Sequence, residues 1–437
     1  MLNIEEALKF TEKAGASEAE VYYLSARSIT IDMKKDTIEV AKESSTEGIG
    51  VRAIVNGAIG YACTNNPKKI ADAAQLSVKS AKIRPANPRW KSLPSHTHYP
   101  TVRGLYDKNI EQITVETCIE HALEIIRGVT SIPDTAPTSG GFTCTVTSQQ
   151  ILNSNNVNVS EHTTAASGYI ETISKKGEQS STAYDFDISR HINKINFYEI
   201  GKQAAMLSKQ SLHPVTIKPS TQTVLLQPIA ISDLIEHTLI PSFSAENVQK
   251  KRSSLEGKLH TQIASEHLSI IDDGLLQEGL HSSTSDDEGS PSKTTKVIQN
   301  GILCSYLYDK YTADQENVSS TANAIRHSYN HTPSISTRNF IIEHTASDII
   351  TETKTGIIIN NLIGAHTANP ITGDFSVEAR NAFTINRGSV DKPIKSLMIA
   401  GNIFELLKNI SGAGDDIRNL GNIITPTIRV DNVRVIG

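Results

Sequence analysis

The chain has 437 residues, more than one hydrophobic core usually serves, so we expect at least two domains. Its formal net charge is −5 at pH 7 and no long basic run occurs, which argues against direct nucleic-acid binding. The chain also lacks a secretory-type start, a membrane-length apolar stretch and CxxC spacing among its 4 cysteines, and together these features predict a cytoplasmic protein with no membrane contact.

Helices and strands are predicted to alternate in the first half of the chain. Apolar residues at helical spacing predict a helix at 2–13, and β-rich runs then flank Asn56-Gly57. That dipeptide is a strong hairpin signal, because both turn positions require positive φ. Further helices are predicted at 67–83, 107–128 and 197–212.

The predicted fold class is α+β, a β-rich two-domain protein with antiparallel sheets flanked by helices. The first domain is placed at 1–215, with subdomains at about 1–84 and 107–215 joined by a Pro-rich connector. The second domain, at 222–437, is again mostly β-like and closes on TPTIRVDNVRVIG.

Short motifs in this sequence indicate little chemistry by themselves. The glycines of GIGVRA at 48–53 match a relaxed dinucleotide fingerprint, but a hairpin follows where that motif needs a helix. His327 and His331 have zinc-helix spacing, yet their surroundings favour an exposed loop. Three acidic clusters adjoin glycines, and we expect them in solvated turns: Asp272-Asp273, Asp286-Asp287-Glu288 and Asp415-Asp416.

Longer strings resemble one family in order along the whole chain. They include EGIGVRAIVNGAIGYA, DDEGSPSKTTKVIQNGILCSYLYD and NPITGDFSVEARNAFTINRGS, followed by IAGNIFELLKNISGAGDD. These strings resemble the TldD/PmbA family, also labelled modulator of DNA gyrase. In that family, TldD-like subunits hold a catalytic metal with a His-Glu-x-x-x-His helix and a distant Cys. PmbA-like subunits, also called TldE, lack these ligands, and the GDFS and AGN strings are closer to that branch.

The resemblance assigns the predicted helix around Glu236-His237 to the metal-binding position. Taking Arg252-Ser253-Ser254 as the anchor, His237 stands where the first ligand His would be, and Thr238 replaces the general-base Glu. Ser242 replaces the second His, and Ala413 replaces the ligand Cys. A hydrolytic zinc normally keeps three protein ligands, so no catalytic residue and no metal are expected in this chain. Pro241 is also expected to end the helix near His237.

The family resemblance implies a non-catalytic PmbA/TldE-like subunit of a metallopeptidase heterodimer. Its partner would be a TldD-like HExxxH subunit carrying zinc, and its substrate an extended, small or unfolded peptide. Candidates for the peptide chamber or the subunit interface are Asn369, Gly373, Asp374, Phe375 and Ser376, with a buried structural turn as the competing interpretation. Two alternatives stay open: an active metallopeptidase that uses the histidines at 327–331, and a stand-alone homodimeric peptide-binding or regulatory protein.

Overall fold

The structure is a computed structural model that describes residues 2–437. Its helices are α1 Ile4–Lys13, α2 Ile70–Lys82, α3 Lys108–Glu111, α4 Val115–Thr130, α5 Phe197–Gln210, α6 Pro228–Thr238, α7 Ile240–Phe243, α8 Ala245–Gln249, α9 Lys310–Glu316, α10 Ile349–Glu352 and α11 Ile403–Lys408. In this described range, no helix combines the length and the apolar character that crossing a membrane would require.

The strands fall into two long-stranded meanders and a set of shorter C-terminal strands. They are β1 Glu18–Lys34, β2 Thr37–Val55, β3 Ala58–Thr64, β4 Thr135–Asn153, β5 Asn158–Lys176, β6 Gln179–Ser189, β7 Ser220–Leu226, β8 Ser269–Asp273, β9 Thr294–Gln299, β10 Ile302–Leu303, β11 Ala324–Ile325, β12 Ser334–Ile335, β13 Phe340–Glu343, β14 Thr355–Ile363, β15 Asp374–Asn386, β16 Ser389–Pro393, β17 Leu397–Asn402, β18 Ile410–Ala413, β19 Arg418–Asn419, β20 Ile423–Thr425 and β21 Ile428–Ile436. The predicted α+β class with antiparallel sheets and flanking helices is confirmed.

The N-terminal half contains a structural repeat. Strands β1 to β3 form one meander and β4 to β6 another, and antiparallel pairing of β1 with β4 joins them in the order β3-β2-β1-β4-β5-β6. The first meander lies between α1 and α2 in the chain, and the second lies between α4 and α5. One six-stranded sheet therefore includes strands from both sides of the Pro-rich connector.

The hairpin predicted at Asn56-Gly57 joins β2 to β3. Both residues have positive φ, 50° and 74°, which suits the twist of a two-residue hairpin turn. A side chain at position 57 would collide with the backbone of Asn87, so close packing also requires this glycine. The connector therefore packs directly on the hairpin.

The Pro-rich connector is ordered and contacts both halves of the protein. Trp90 donates its indole N–H to Glu18 at 2.7 Å and stacks on Tyr311, with ring centroids 6.0 Å apart. Leu93 is fully buried, and the Tyr99 hydroxyl donates to the carbonyl of Gly289 at 2.9 Å. The segment therefore fixes the N-terminal sheet against the C-terminal half.

The C-terminal half is built around a closed sheet. Strands β14, β7, β21, β17 and β15 follow one another, and a further pairing of β14 with β15 completes the ring. The largest hydrophobic core contains residues of this ring together with residues of α6, α7 and α11. Helix α6 is thereby held against the barrel, which positions the segment that carries His237.

Candidate functional site

Helix α6 begins at Pro228, whose fixed φ suits the first helical position. Its residues are buried on nearly every side, so the helix is part of the core. It ends at Thr238, and a separate short turn, α7, contains Pro241. The prediction that the helix ends near His237 is confirmed.

His237 is half-buried at the end of α6. Its Nδ1 donates to the carbonyl of Asp233 at 2.9 Å, a bond within the same helix. The ring also meets His366 edge to face, with centroids 6.4 Å apart. The pKa of Asp233 is raised to about 6, chiefly by burial and also by the nearby charge of Glu236, while His237 opposes the change. These contacts give His237 a structural role in joining α6 to the segment before the 369–376 loop.

The motif positions 238, at the end of α6, and 242, in α7, point into the protein. Thr238 and Ser242 are both fully buried. The Thr238 hydroxyl donates to the carbonyl of Leu234, and the Ser242 hydroxyl lies 3.4 Å from the carbonyls of Thr238 and Pro370. Short neutral side chains thus occupy positions where a carboxylate or an imidazole would need more space and a polar partner.

Ala413 lies at the end of β18 and is fully buried in the main core. It pairs with Ile428, and its carbonyl accepts from the Ser347 N–H at 2.9 Å. A methyl group offers no metal ligand at this position. Across residues 2–437, no group of three or more His, Cys, Asp or Glu side chains could hold a metal ion. The donor set therefore does not fit a catalytic zinc.

The 369–376 loop packs on the α6–α7 segment. Ser242 approaches Pro370 as described above, and the Ser254 hydroxyl donates to the carbonyl of Ile371 at 2.7 Å. Ser253 donates to the carbonyl of Ser242 at 2.7 Å. The structure thus brings together the 369–376 loop, the Arg252-Ser253-Ser254 motif and position 242, which the resemblance assigns to a metal ligand.

The 369–376 loop is shaped by its own polar side chains. The Asn369 side chain accepts the N–H groups of Ile371 and Thr372 at 2.9 and 3.2 Å. Gly373 has φ +80°, and a side chain there would collide with Ile403. The Asp374 carboxylate accepts from the Thr372 hydroxyl and the Asn402 amide. Asn369 makes the backbone bonds because it stands at the start of the turn.

Phe375 and Ser376 point to opposite sides of β15, as strand alternation requires. Ser376 is exposed, whereas Phe375 is 6% exposed and belongs to the main core. The Phe375 ring also covers Gly401, where an added Cβ would lie 3.3 Å from it. Of the five loop candidates, Asn369, Asp374 and Ser376 face solvent and are available to a partner or a peptide.

Replacing Phe375 with Ala is expected to lower the free energy of unfolding by about 3 kcal/mol, because it removes a buried ring and leaves a cavity. Urea unfolding followed by circular dichroism measures the loss. Ser376→Ala, one residue away on the exposed face, is the control and should change stability by less than about 0.5 kcal/mol. Equal stability of the Phe375→Ala and Ser376→Ala variants would contradict a core role for the ring.

His327 and His331 are exposed in the loop between β11 and β12, as expected. Their ring centroids are 6.1 Å apart. The sequence did not indicate that Tyr329, between them, docks on the N-terminal sheet, where the Tyr61 hydroxyl donates to its carbonyl. Side chains at Gly48 or Gly50 would collide with Tyr329, so the GIG motif provides a close contact between the two halves.

Two of the three acidic clusters were wrongly expected in solvated turns. Asp272 is 1% exposed and accepts from the Asn323 amide at 2.6 Å. Asp286, Asp287 and Glu288 are also buried, because a turn at Gly289 inserts them between the two halves. Only Asp415-Asp416 is exposed, and there Asp416 accepts from the Thr427 N–H at 2.9 Å.

A buried ion network compensates the charge of Glu288 in the 286–288 turn. Arg52 of β2 donates to Glu20 at 2.5 Å and to Glu288 at 2.6 Å, and Arg326 also bonds Glu20. Burial alone lowers the pKa of Arg52, but the two carboxylates raise it by more. The network joins β1, through Glu20, and β2, through Arg52, to the 286–288 turn and to Arg326 at the start of the next loop.

Comparison with known proteins covers the whole chain. A model described as the PmbA/TldA metallopeptidase C-terminal domain matches residues 219–437, and the domain 1 and central-domain models match 19–81 and 108–212. The crystal structure of TldE from Thermococcus kodakarensis is similar at a TM-score of 0.93, with 28% identity over 99% of both chains. An uncharacterized protein of Methanocaldococcus jannaschii is 34% identical over 98% of both chains. A metalloprotease PmbA homolog of Haemophilus influenzae is 23% identical, over 99% of this chain and 94% of that protein.

The fold and the family models together define a β-rich α+β protein built from metallopeptidase-type domains. The chain belongs to the PmbA/TldD metallopeptidase family. The family resemblance seen in the sequence is confirmed.

Proposed function

We propose that this chain is a non-catalytic, PmbA/TldE-like subunit of a TldD/TldE-type metallopeptidase that cleaves small or unfolded peptides in the cytoplasm. One observation carries the proposal: three of the four positions that the resemblance assigns to the family's ligands and base hold short, fully buried side chains in an intact fold. Thr238 and Ser242 are fully buried, and Ala413 has a methyl group in the core. The Nδ1 of His237 donates a hydrogen bond to the backbone carbonyl of Asp233 within the same helix.

The likeness to TldE along 99% of both chains supports the same assignment. A subunit without a base or an activated water can still bind an extended peptide and position it for a catalytic partner. The partner in this proposal is a TldD-like HExxxH subunit that carries the zinc. Exposed groups on and beside the 369–376 loop, including Asn369, Asp374 and Ser376, are the proposed contacts with that partner or with the peptide.

Co-purification with a candidate TldD-like subunit, followed by a peptidase assay, tests the proposal. We expect chelator-sensitive cleavage of an unfolded peptide by the mixture and none by this chain alone, which should hold far less than one zinc per molecule by elemental analysis. Mutating the partner's HExxxH Glu to Gln should abolish cleavage, whereas His237→Ala in this chain should leave it nearly unchanged.

Two outcomes would contradict the proposal. Cleavage by this chain alone at the rate of the mixture, with stoichiometric metal, would identify it as an active metallopeptidase. A stable homodimer that neither associates with the HExxxH subunit nor changes its turnover would identify a stand-alone peptide-binding or regulatory protein. Light scattering on the separate and mixed proteins distinguishes this last case from a heterodimer.

A further inference from the structure

A polar cavity of about 500 Å³ lies between the two halves of the protein, beside the end of α6. Strands β4 and β5 contribute Gln149 and Thr163 to its wall, and the C-terminal half contributes the segments 280–287 and 325–338. Glu236, the neighbour of His237, lines the same cavity. Glu236, His281 and His327 are exposed, so the cavity opens to solvent on their side.

Two buried arginines in the wall of this cavity have only neutral hydrogen-bond partners. Arg190 is 7% exposed and donates to the carbonyls of Thr164, Gly279 and Leu280. Arg338 is 3% exposed and donates to the carbonyls of His281 and Ala322 and to the hydroxyl of Ser283. Among residues 2–437, no carboxylate lies within ion-pair distance of either guanidinium.

Three of the carboxylates in and around the cavity accept hydrogen bonds from backbone N–H groups, whereas Glu236 at the mouth is exposed to solvent. Asp287 accepts from the backbone N–H of Arg326 at 2.6 Å, and Asp272 accepts from the backbone N–H of Arg338 at 2.7 Å. Glu161 accepts from the Thr284 N–H at 2.9 Å. The pKa of Arg190 is lowered to about 10, chiefly by burial; the charge of Glu161 opposes this change and the nearby charge of Arg338 adds to it. Arg190 is therefore a buried cation with incomplete compensation, which an anion would stabilise.

We propose that this cavity is an oxyanion-binding site in which the guanidinium groups of Arg190 and Arg338 bind a carboxylate or phosphate group. A guanidinium carries more N–H donors than the three bonds that each arginine makes here, so each keeps donors for a ligand. Its planar fork matches carboxylate and phosphate oxygens. The Asn422 amide donates to the Thr337 hydroxyl at 3.1 Å and keeps a second N–H, which adds a further polar group to the wall.

Two ligands share this chemistry: the free C-terminal carboxylate of a peptide, and inorganic phosphate. The peptide ligand rests on the proposed peptide-handling function and deepens it. Glu236 lies both at the mouth of the cavity and near the end of α6, so a peptide bound there would lie beside that helix. A peptide held by its C-terminus would be oriented in a fixed direction. The second ligand is independent of that function.

Isothermal titration of the isolated chain at constant ionic strength tests the site with three probes: inorganic phosphate, a tetrapeptide with a free carboxylate, and the same tetrapeptide amidated at its C-terminus. We expect saturable single-site binding of phosphate, of the free-acid peptide, or of both. The amidated peptide should bind at least tenfold more weakly than the acid, because it loses a charge-assisted bidentate contact. Selective binding of phosphate assigns an inorganic ligand, and selective binding of the acid peptide assigns a C-terminus.

Variants locate the binding in this cavity. Arg190→Lys and Arg338→Lys keep the charge but lose the fork, and should weaken binding about tenfold. Because these buried changes can disturb folding, two exposed positions at the mouth provide a second test. Glu236→Gln should strengthen binding severalfold and His327→Glu should weaken it, since they change the potential at the mouth in opposite directions. Arg127→Gln, on the exposed face of α4, is the matched control.

The absence of saturable binding by both anions would overturn the proposal. So would equal binding of the acid and amidated peptides with no phosphate binding, or affinities that are unchanged in the Glu236→Gln and His327→Glu variants. These measurements need neither a partner subunit nor cleavage. A failed oxyanion site is therefore distinguishable from a failed metallopeptidase assignment, which the mixing assay tests separately.

Discussion

Replacing Arg52 with Met should lower the free energy of unfolding by about 3–5 kcal/mol, since it removes the cation from a buried network and leaves carboxylates uncompensated. The side chains of Arg52, Glu20 and Glu288 are exposed by only 4%, 1% and 3%. Methionine fills much of the arginine's volume but cannot neutralise either acid. The change should loosen the contact between the N-terminal sheet and the 286–288 turn before it affects either half internally.

The single tryptophan makes this measurement specific. Trp90, in the connector, contacts Glu18 of the N-terminal half and Tyr311 of the C-terminal half. Its fluorescence therefore reports the association of the two halves. For Arg52→Met, the urea midpoint of the Trp90 fluorescence transition should move to a lower concentration. The loss of secondary structure, followed by far-ultraviolet circular dichroism, should have its midpoint at a higher urea concentration than the fluorescence transition. The control is Lys34→Met, which removes an exposed pair with Glu39 and should cost less than about 1 kcal/mol. Equal losses for Arg52→Met and Lys34→Met would contradict the importance of the buried network.

The fold class could be predicted because its local signals are strong. The Asn56-Gly57 turn and the amphipathic helices such as α1 and α5 depend on residues close in sequence, and they occur where expected. The repeat of two meanders was not predicted, because the two meanders share strand topology but no short sequence repeat. The pairing of β1 with β4 joins residues more than a hundred positions apart, and no local pattern encodes such a contact.

The acidic clusters illustrate a second limit of sequence reasoning. Asp286-Asp287-Glu288 next to Gly289 has the composition of a solvated turn, and a turn does form there. Its burial depends on Arg52 and Arg326, which come from distant segments of the chain. Glycines at 48 and 50 were noticed for a nucleotide motif, but they fit the docking of Tyr329. In both cases the sequence predicted the local conformation, but it did not predict which distant residues would pack against it.

The candidate site could be located only through the family resemblance. One His beside one Glu carries no metal chemistry by itself, and it was the whole-chain likeness that directed attention to positions 238, 242 and 413. The oxyanion cavity gave no sequence signal at all, because Arg190 and Arg338 stand in unremarkable contexts and meet only in the folded protein. Buried arginines without acidic partners can be recognised only when the burial of each side chain is known.

Restoring the family's general base by Thr238→Glu should destabilise the protein by about 4 kcal/mol or more, instead of creating activity. Thr238 is fully buried, and its hydroxyl already donates to the carbonyl of Leu234. A glutamate there would bring a longer side chain and a charge into the main core. The buried carboxylate would either take up a proton or distort the end of α6.

Urea unfolding and zinc titration of the Thr238→Glu variant measure both consequences, and Thr238→Val is its matched control. Valine keeps the shape and loses only the hydroxyl bond, so the control should lose about 1 kcal/mol or less. If Thr238→Glu instead retained wild-type stability, the position would be open to a cavity, and the non-catalytic assignment would lose its structural basis. Binding of one zinc by that variant would require ligands beyond His237 and would contradict the proposal directly. We expect neither, because core packing at 238 and 242 has replaced the space that a metal and its water would need.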